Sequence, residues 1–217
     1  WEIGIKKTFS NGYLNMSFFH MAVEGYQSNL FIGTGFNLVN IGEETHKGIE
    51  IDSLFFLSEN FVLTFAASYI DAIFDDFKNG PCDRTFVPPA SDDCPIVNGG
   101  PARVKDFTGR TPSGVPELAI TVSGTYTFDL TENMTGYVRG EYIYEDAYQA
   151  TDAVPVEVPN ALRQVGTLNA SLGVKDSASG FSIMLWGRNI NDDEYIYTGF
   201  NVPGSPGSYA GYPVVPK

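Results

Sequence analysis

The chain has 217 residues, 43% of them apolar, enough for one large all-β domain or for a piece of something larger. Its 13 Lys and Arg against 26 Asp and Glu give a formal charge of −13, which argues against nucleic acid as a partner, because phosphates call for clustered Lys and Arg. No run approaches the ~18 uncharged apolar residues of a membrane helix.

Successive side chains of a strand point to opposite faces, and apolar and polar residues alternate in runs at 1–9, 13–26, 36–57, 61–74, 116–128, 134–147, 163–175 and 181–192. In 48–57, Ile49, Ile51, Phe55 and Leu57 oppose Glu50 and Asp52, with Phe56 as a misfit. In 61–73, Phe61, Leu63, Phe65, Ala67 and Tyr69 oppose Thr64, Ala66 and Ser68. In 116–128, Leu118, Ile120, Val122, Tyr126 and Phe128 share one parity, against Glu117, Thr121, Ser123 and Thr125. The next runs place Arg139, Glu141 and Glu145, then Arg163, Thr167, Asn169 and Ser171, on the polar side.

The links between runs alternate in length. Short ones at Ser10-Asn11-Gly12, Ser58-Glu59-Asn60, 129–133 and 176–180 have hairpin-turn composition. Longer ones occupy 27–35, 75–115, 148–162 and the tail from 193. Reading 36–57 as one strand keeps every short turn on the same rim; splitting it near 40–46 does not. Short turns on one rim and long loops on the other are the pattern of an outer-membrane barrel. A soluble sandwich would bury the same apolar face as its core. Alternation alone leaves both open; the turn asymmetry favours the membrane.

Cys82 and Cys94 lie in a Pro- and Asp-rich segment and are expected to pair as a loop disulfide in an oxidising compartment. His20 and His46 are too distant in sequence to complete a metal site with them. Gly33-Thr34-Gly35 precedes a strand, so it is not a phosphate loop. Asp192-Asp193-Glu194 reads as a polar strand end. No nucleophile, general base, metal ligand set or cofactor motif emerges, and no catalytic residue is expected.

Trp1-Glu2-Ile3-Gly4-Ile5-Lys6, then Asn40-Ile41-Gly42-Glu43 with Lys47-Gly48-Ile49-Glu50, then Thr111-Pro112 to Pro116, and finally Leu185-Trp186-Gly187-Arg188-Asn189-Ile190-Asn191-Asp192 with Glu194-Tyr195 follow one another in an order that resembles the C-terminal half of TonB-dependent outer-membrane receptors. The resemblance implies an all-β, transmembrane antiparallel barrel of about 22 strands, of which residues 1–217 would supply about eight of the final ones. The plug domain, the TonB box and the last strand would lie outside this sequence. It implies a monomeric receptor in the bacterial outer membrane, embedded in its lipid. Such a receptor would take up a scarce small molecule such as a ferric siderophore, with energy coupling through TonB and the plug.

The ligand-facing parts would then be loops 75–115, 148–162 and 193–217, where Phe86, Phe107, Tyr148 and Tyr209 offer stacking faces. Arg84, Arg103 and Arg110 in the same loops could meet an anionic chelate. Glu50, Asp52, Arg139, Glu141 and Arg188 would face the lumen and its plug. Two other readings remain: a small self-contained pore or adhesin, whose first and last strands should pair, and a soluble sandwich that binds a ligand such as carbohydrate.

Overall fold

The computed structural model describes residues 1–32, 35–78, 80–81, 104–150, 162–201 and 209–213, and no helix occurs among them. The strands, in chain order, are β1 (Glu2–Phe9), β2 (Gly12–Ile32), β3 (Gly35–Phe56), β4 (Phe61–Asp76), β5 (Gly80–Pro81), β6 (Val104–Lys105), β7 (Leu118–Asp129), β8 (Met134–Gln149), β9 (Leu162–Asp176), β10 (Ser182–Gly187), β11 (Ile196–Asn201) and β12 (Tyr209–Pro213). Eight of them form one antiparallel sheet in the order β1-β2-β3-β4-β7-β8-β9-β10, while β5–β6 and β11–β12 make two small ribbons. Neighbours in the large sheet are neighbours in sequence apart from the ribbon between β4 and β7. β1 and β10 form its two edges and do not pair with each other, so the sheet is not a closed barrel.

Register fixes the faces. Ile5, Met16, Ile51, Ala67, Ile120 and Tyr144 stand side by side across six strands. One residue along, the row reads Lys6, Asn15, Asp52, Ala66, Thr121, Ile143 and Thr167. A slip of one residue would exchange these rows, so the pattern itself pins the register. The apolar rows are left uncovered: Ile5 is 64% exposed, Leu172 52% and Leu185 67%. A sandwich would have buried them. A continuous exposed apolar face of this kind needs an apolar solvent, and lipid supplies it.

The band has visible limits. Along β4 its outward residues run from Phe61 to Tyr69, matching the ~9–11 residues that cross a bilayer as a strand. Beyond it the outward face turns polar: the Tyr69 hydroxyl donates to Glu117 at 2.8 Å, and Lys47 meets Asp71 at 3.0 Å. The inner limit is aromatic, with Phe9 beside Phe55 and Tyr126 beside Phe128, as expected at a membrane interface.

The links expected as loops at 75–115 and from 193 carry the ribbons β5–β6 and β11–β12, and two expectations about the large sheet also change. The link 27–35 is not a loop, because β2 and β3 remain paired as far as Ile32 opposite Gly35. Its polar residues resemble a loop, but the two backbones satisfy each other whatever the side chains. At ~3.3 Å per residue β2 reaches ~70 Å, so this hairpin stands well clear of the membrane. The run 181–192 also stops early, with β10 ending at Gly187. Asn189 (φ 48°) and Asp192 (φ 55°) then adopt left-handed backbone, which Asn and Asp tolerate better than other side chains.

Candidate functional site: the polar face and its outer mouth

Glu50, Asp52, Arg139, Glu141 and Arg188 all stand on the polar face. Across β1–β4 and β7 that face forms a groove of about 470 Å³, lined among others by Lys6, Asn15, Glu50, Asp52 and Thr121. Asn15 donates to Asp52 at 2.9 Å; both Glu50 and Asp52 are exposed.

A second cleft, of about 310 Å³, lies over β8–β10. There Arg139 donates to Glu141 at 2.9 Å and to Thr125 at 3.3 Å, while Asn169 gives the other Glu141 oxygen a bond at 3.1 Å. The Arg188 guanidinium lies 5.3 Å from the Trp186 ring, which is 59% exposed. Trp186 pairs with Ser171 and so belongs to the polar face. Alternation within 181–192 gives no sign that this indole stands on the polar face.

The turn after β10 holds its place by imitating a strand. Asn191 accepts from the Leu168 amide at 2.8 Å and donates to the Gly166 carbonyl at 2.7 Å; its carboxamide substitutes for a peptide unit opposite β9. Asp193 accepts from the Gly166 amide at 2.7 Å, and Asn189 and Asp193 exchange two further bonds. The Asn-Ile-Asn-Asp sequence therefore continues the ladder with side chains where the backbone bends away. Asn191→Asp keeps the acceptor but turns a second oxygen towards the Gly166 carbonyl. It is expected to cost about 1–3 kcal/mol in the unfolding of the intact receptor, and Asn191→Ser, which cannot span both partners, should cost a similar amount.

At the outer mouth the chain folds back over β4. The Phe107 amide bonds the Phe77 carbonyl at 2.7 Å, and Gly109 bonds Phe74 at 2.7 Å. Phe74, Phe77 and Phe107 form a small edge-to-face cluster, with Phe107 only 8% exposed and the Arg110 guanidinium 4.8 Å from its ring. The Thr108 hydroxyl and amide both bond the Asp106 carboxylate and hold its pKa below the ordinary aspartate value. Nearby, on the polar face, Glu44 is buried and bonds His46 through one oxygen; the other has no partner among the described residues.

Tyr148 owes its position to an irregularity. Between Glu145 and Tyr148 the β8–β9 register shifts by one residue, and this bulge turns Tyr148 onto the polar face opposite Arg163. Arg163 donates to Glu145 at 2.9 and 3.4 Å, and its guanidinium lies 5.9, 5.0 and 5.5 Å from the rings of Tyr148, Tyr195 and Tyr197. Alternation places Arg163 on the polar side but gives no sign that three segments converge on it with Tyr195 and Tyr197. Tyr209 opens β12 opposite Asn201. Arg84, Phe86 and Arg103, with Cys82 and Cys94, lie outside the described residues.

A family model described as TonB dependent receptor-like, beta-barrel matches residues 1–190. Among solved structures the chain is similar to the ferric yersiniabactin uptake receptor FyuA from Yersinia pestis, with a TM-score of 0.66 and 16% identity over 99% of this chain and 27% of that one. It is similar to the siderophore receptor PiuA from Acinetobacter baumannii, with a TM-score of 0.60 and 15% identity over 98% and 26%. It is also similar to BauA, the ferric preacinetobactin receptor of Acinetobacter baumannii, with a TM-score of 0.59 and 13% identity over 97% and 27%. At such identities the likeness shows the fold, and the chain spans about a quarter of these receptors' length. A comparison with curated proteins by sequence gives no match. Uncovered apolar face, charged inner face and matched strands lead to one conclusion: the chain belongs to the TonB-dependent receptor β-barrel family.

Proposed function

We propose that this chain is wall and mouth of an outer-membrane receptor that captures a scarce small molecule, such as a ferric siderophore, and imports it with energy supplied through TonB. The observation that carries the reading is the single sheet with one lipid-type face and one charged face, matched along 1–190 by the receptor-barrel family. Iron chelates enter as ligands because FyuA, PiuA and BauA are siderophore receptors. In this reading residues 1–217 are a partial barrel domain, the rest of the barrel and a plug being supplied by the remainder of the receptor. Arg110 and Tyr148 stand at the mouth, and Glu50, Asp52, Arg139, Glu141 and Arg188 face the plug.

The test is uptake of iron-55 chelates by iron-starved cells carrying or lacking the intact receptor, using a panel of hydroxamate and catecholate chelates, each with and without TonB. Receptor-dependent accumulation that disappears without TonB is the expected outcome. Solute flux that needs the receptor but persists without TonB would replace this reading with a passive pore.

A further inference from the structure

We propose that Arg163 is a positioning residue that pins β11 to the rim of β8–β9, so that the end of β8, the start of β9 and the approach to β11 are held as one unit. Three chain segments meet on this one side chain. Glu145 and Tyr148 come from the end of β8, Arg163 from the start of β9, and Tyr195 and Tyr197 from the approach to β11 and its second residue. The guanidinium is the single cation among them. It uses its donors on Glu145 at 2.9 and 3.4 Å, and its central carbon lies over the three tyrosine rings at 5.0–5.9 Å.

Its side chain is only 16% exposed, so the carboxylate and the rings have largely replaced water around the charge. A planar guanidinium suits this arrangement because it can hydrogen-bond in its plane while stacking above and below it; an ammonium has no such separation. Backbone pairing alone does not secure β11. Its ladder partner is β12, in a two-stranded ribbon separate from the large sheet, and an isolated two-stranded ribbon is marginal in water. Tyr197 is 68% exposed, so its attachment depends on what it touches rather than on burial. The β8 bulge has a purpose in this arrangement, since without the extra residue Tyr148 would point to the opposite face from Arg163.

The pin is tested on the intact receptor in lipid bilayers by amide hydrogen exchange, which reports local opening segment by segment. Arg163→Met keeps the length of the side chain and removes both charge and fork. It should speed exchange across Ile196–Asn201 by about tenfold or more, while the ladder at 135–143 keeps its protection. Arg163→Lys should fall between Met and the native residue. Unchanged exchange at 196–201 overturns the proposal, and so does a rise spread evenly over β8 and β9, which would make Arg163 an ordinary strand residue. Should Arg163→Met fail to assemble, Tyr197→Ser, at an exposed position, gives the same reading. Faster exchange confined to 196–201 supports the pin, and none overturns it. Neither outcome depends on which ligand the receptor carries.

Discussion

An arginine in place of Val122 should lower the stability of the intact receptor in a bilayer by about 2–4 kcal/mol, the cost of a cation on the lipid face near the membrane midplane. Val122 stands near the middle of the β7 band, beside Phe65 and Tyr142. One residue away, Thr121 stands on the polar face, next to Ala66 in the row that contains Asp52. There Thr121→Arg should cost less than about 1 kcal/mol, because a hydrated lumen does not desolvate the charge. The comparison is made from urea midpoints of both variants in the same lipid. Equal losses would mean that the two faces share a solvent, and the membrane assignment would fall. A reversed order would mean that the barrel is inside out. Few other single substitutions read the faces so directly, since the two positions are adjacent in β7 and stand on opposite faces.

The second large effect is expected at Gly48. A methyl group there would lie 2.2 Å from the Tyr69 carbonyl oxygen and 2.9 Å from Cζ of Phe19, closer than carbon can approach either. Gly48→Ala should therefore cost about 1–3 kcal/mol or more, as overpacking does elsewhere. Adding Phe19→Ala should restore only part of the loss, because the ring would be gone while the carbonyl remained. Gly140 is the control: nothing lies within 4 Å of the atom that would be added, so Gly140→Ala should be close to neutral. If Gly48→Ala proves as mild as Gly140→Ala, the close approach of β2, β3 and β4 at this point is wrong.

The need for glycine at Gly48 is not a local property. This residue lies within Lys47-Gly48-Ile49-Glu50, one of the segments that resemble the receptor family, yet nothing local explains why glycine is needed. The reason lies in Phe19 and Tyr69, far along the chain and brought alongside only by pairing. The Asn191 turn is similar. Its composition is visible in the sequence, where it reads as the end of a strand. That its carboxamide stands in for a peptide opposite Gly166 and Leu168 depends on the edge of β9.

What the sequence determined by itself was the number of large strands, the parity of each and the inner turns, because alternation is a local property with a period of two residues. Expected starts and ends mostly lie within a few residues of the observed strands. Asn11-Gly12 and Ser58-Glu59-Asn60 mark the inner turns through their own conformational preferences. Where pairing stops and which side chains meet were set by the assembled sheet. The β2–β3 ladder runs through residues that look like a loop, β10 ends inside a strand-like run, and a bulge moves Tyr148 to the other face. Arg163 gathers three tyrosines from two distant segments. In each case the outcome depends on hydrogen-bonding groups offered by a neighbouring strand, and a single chain's pattern of polar and apolar residues carries no record of them.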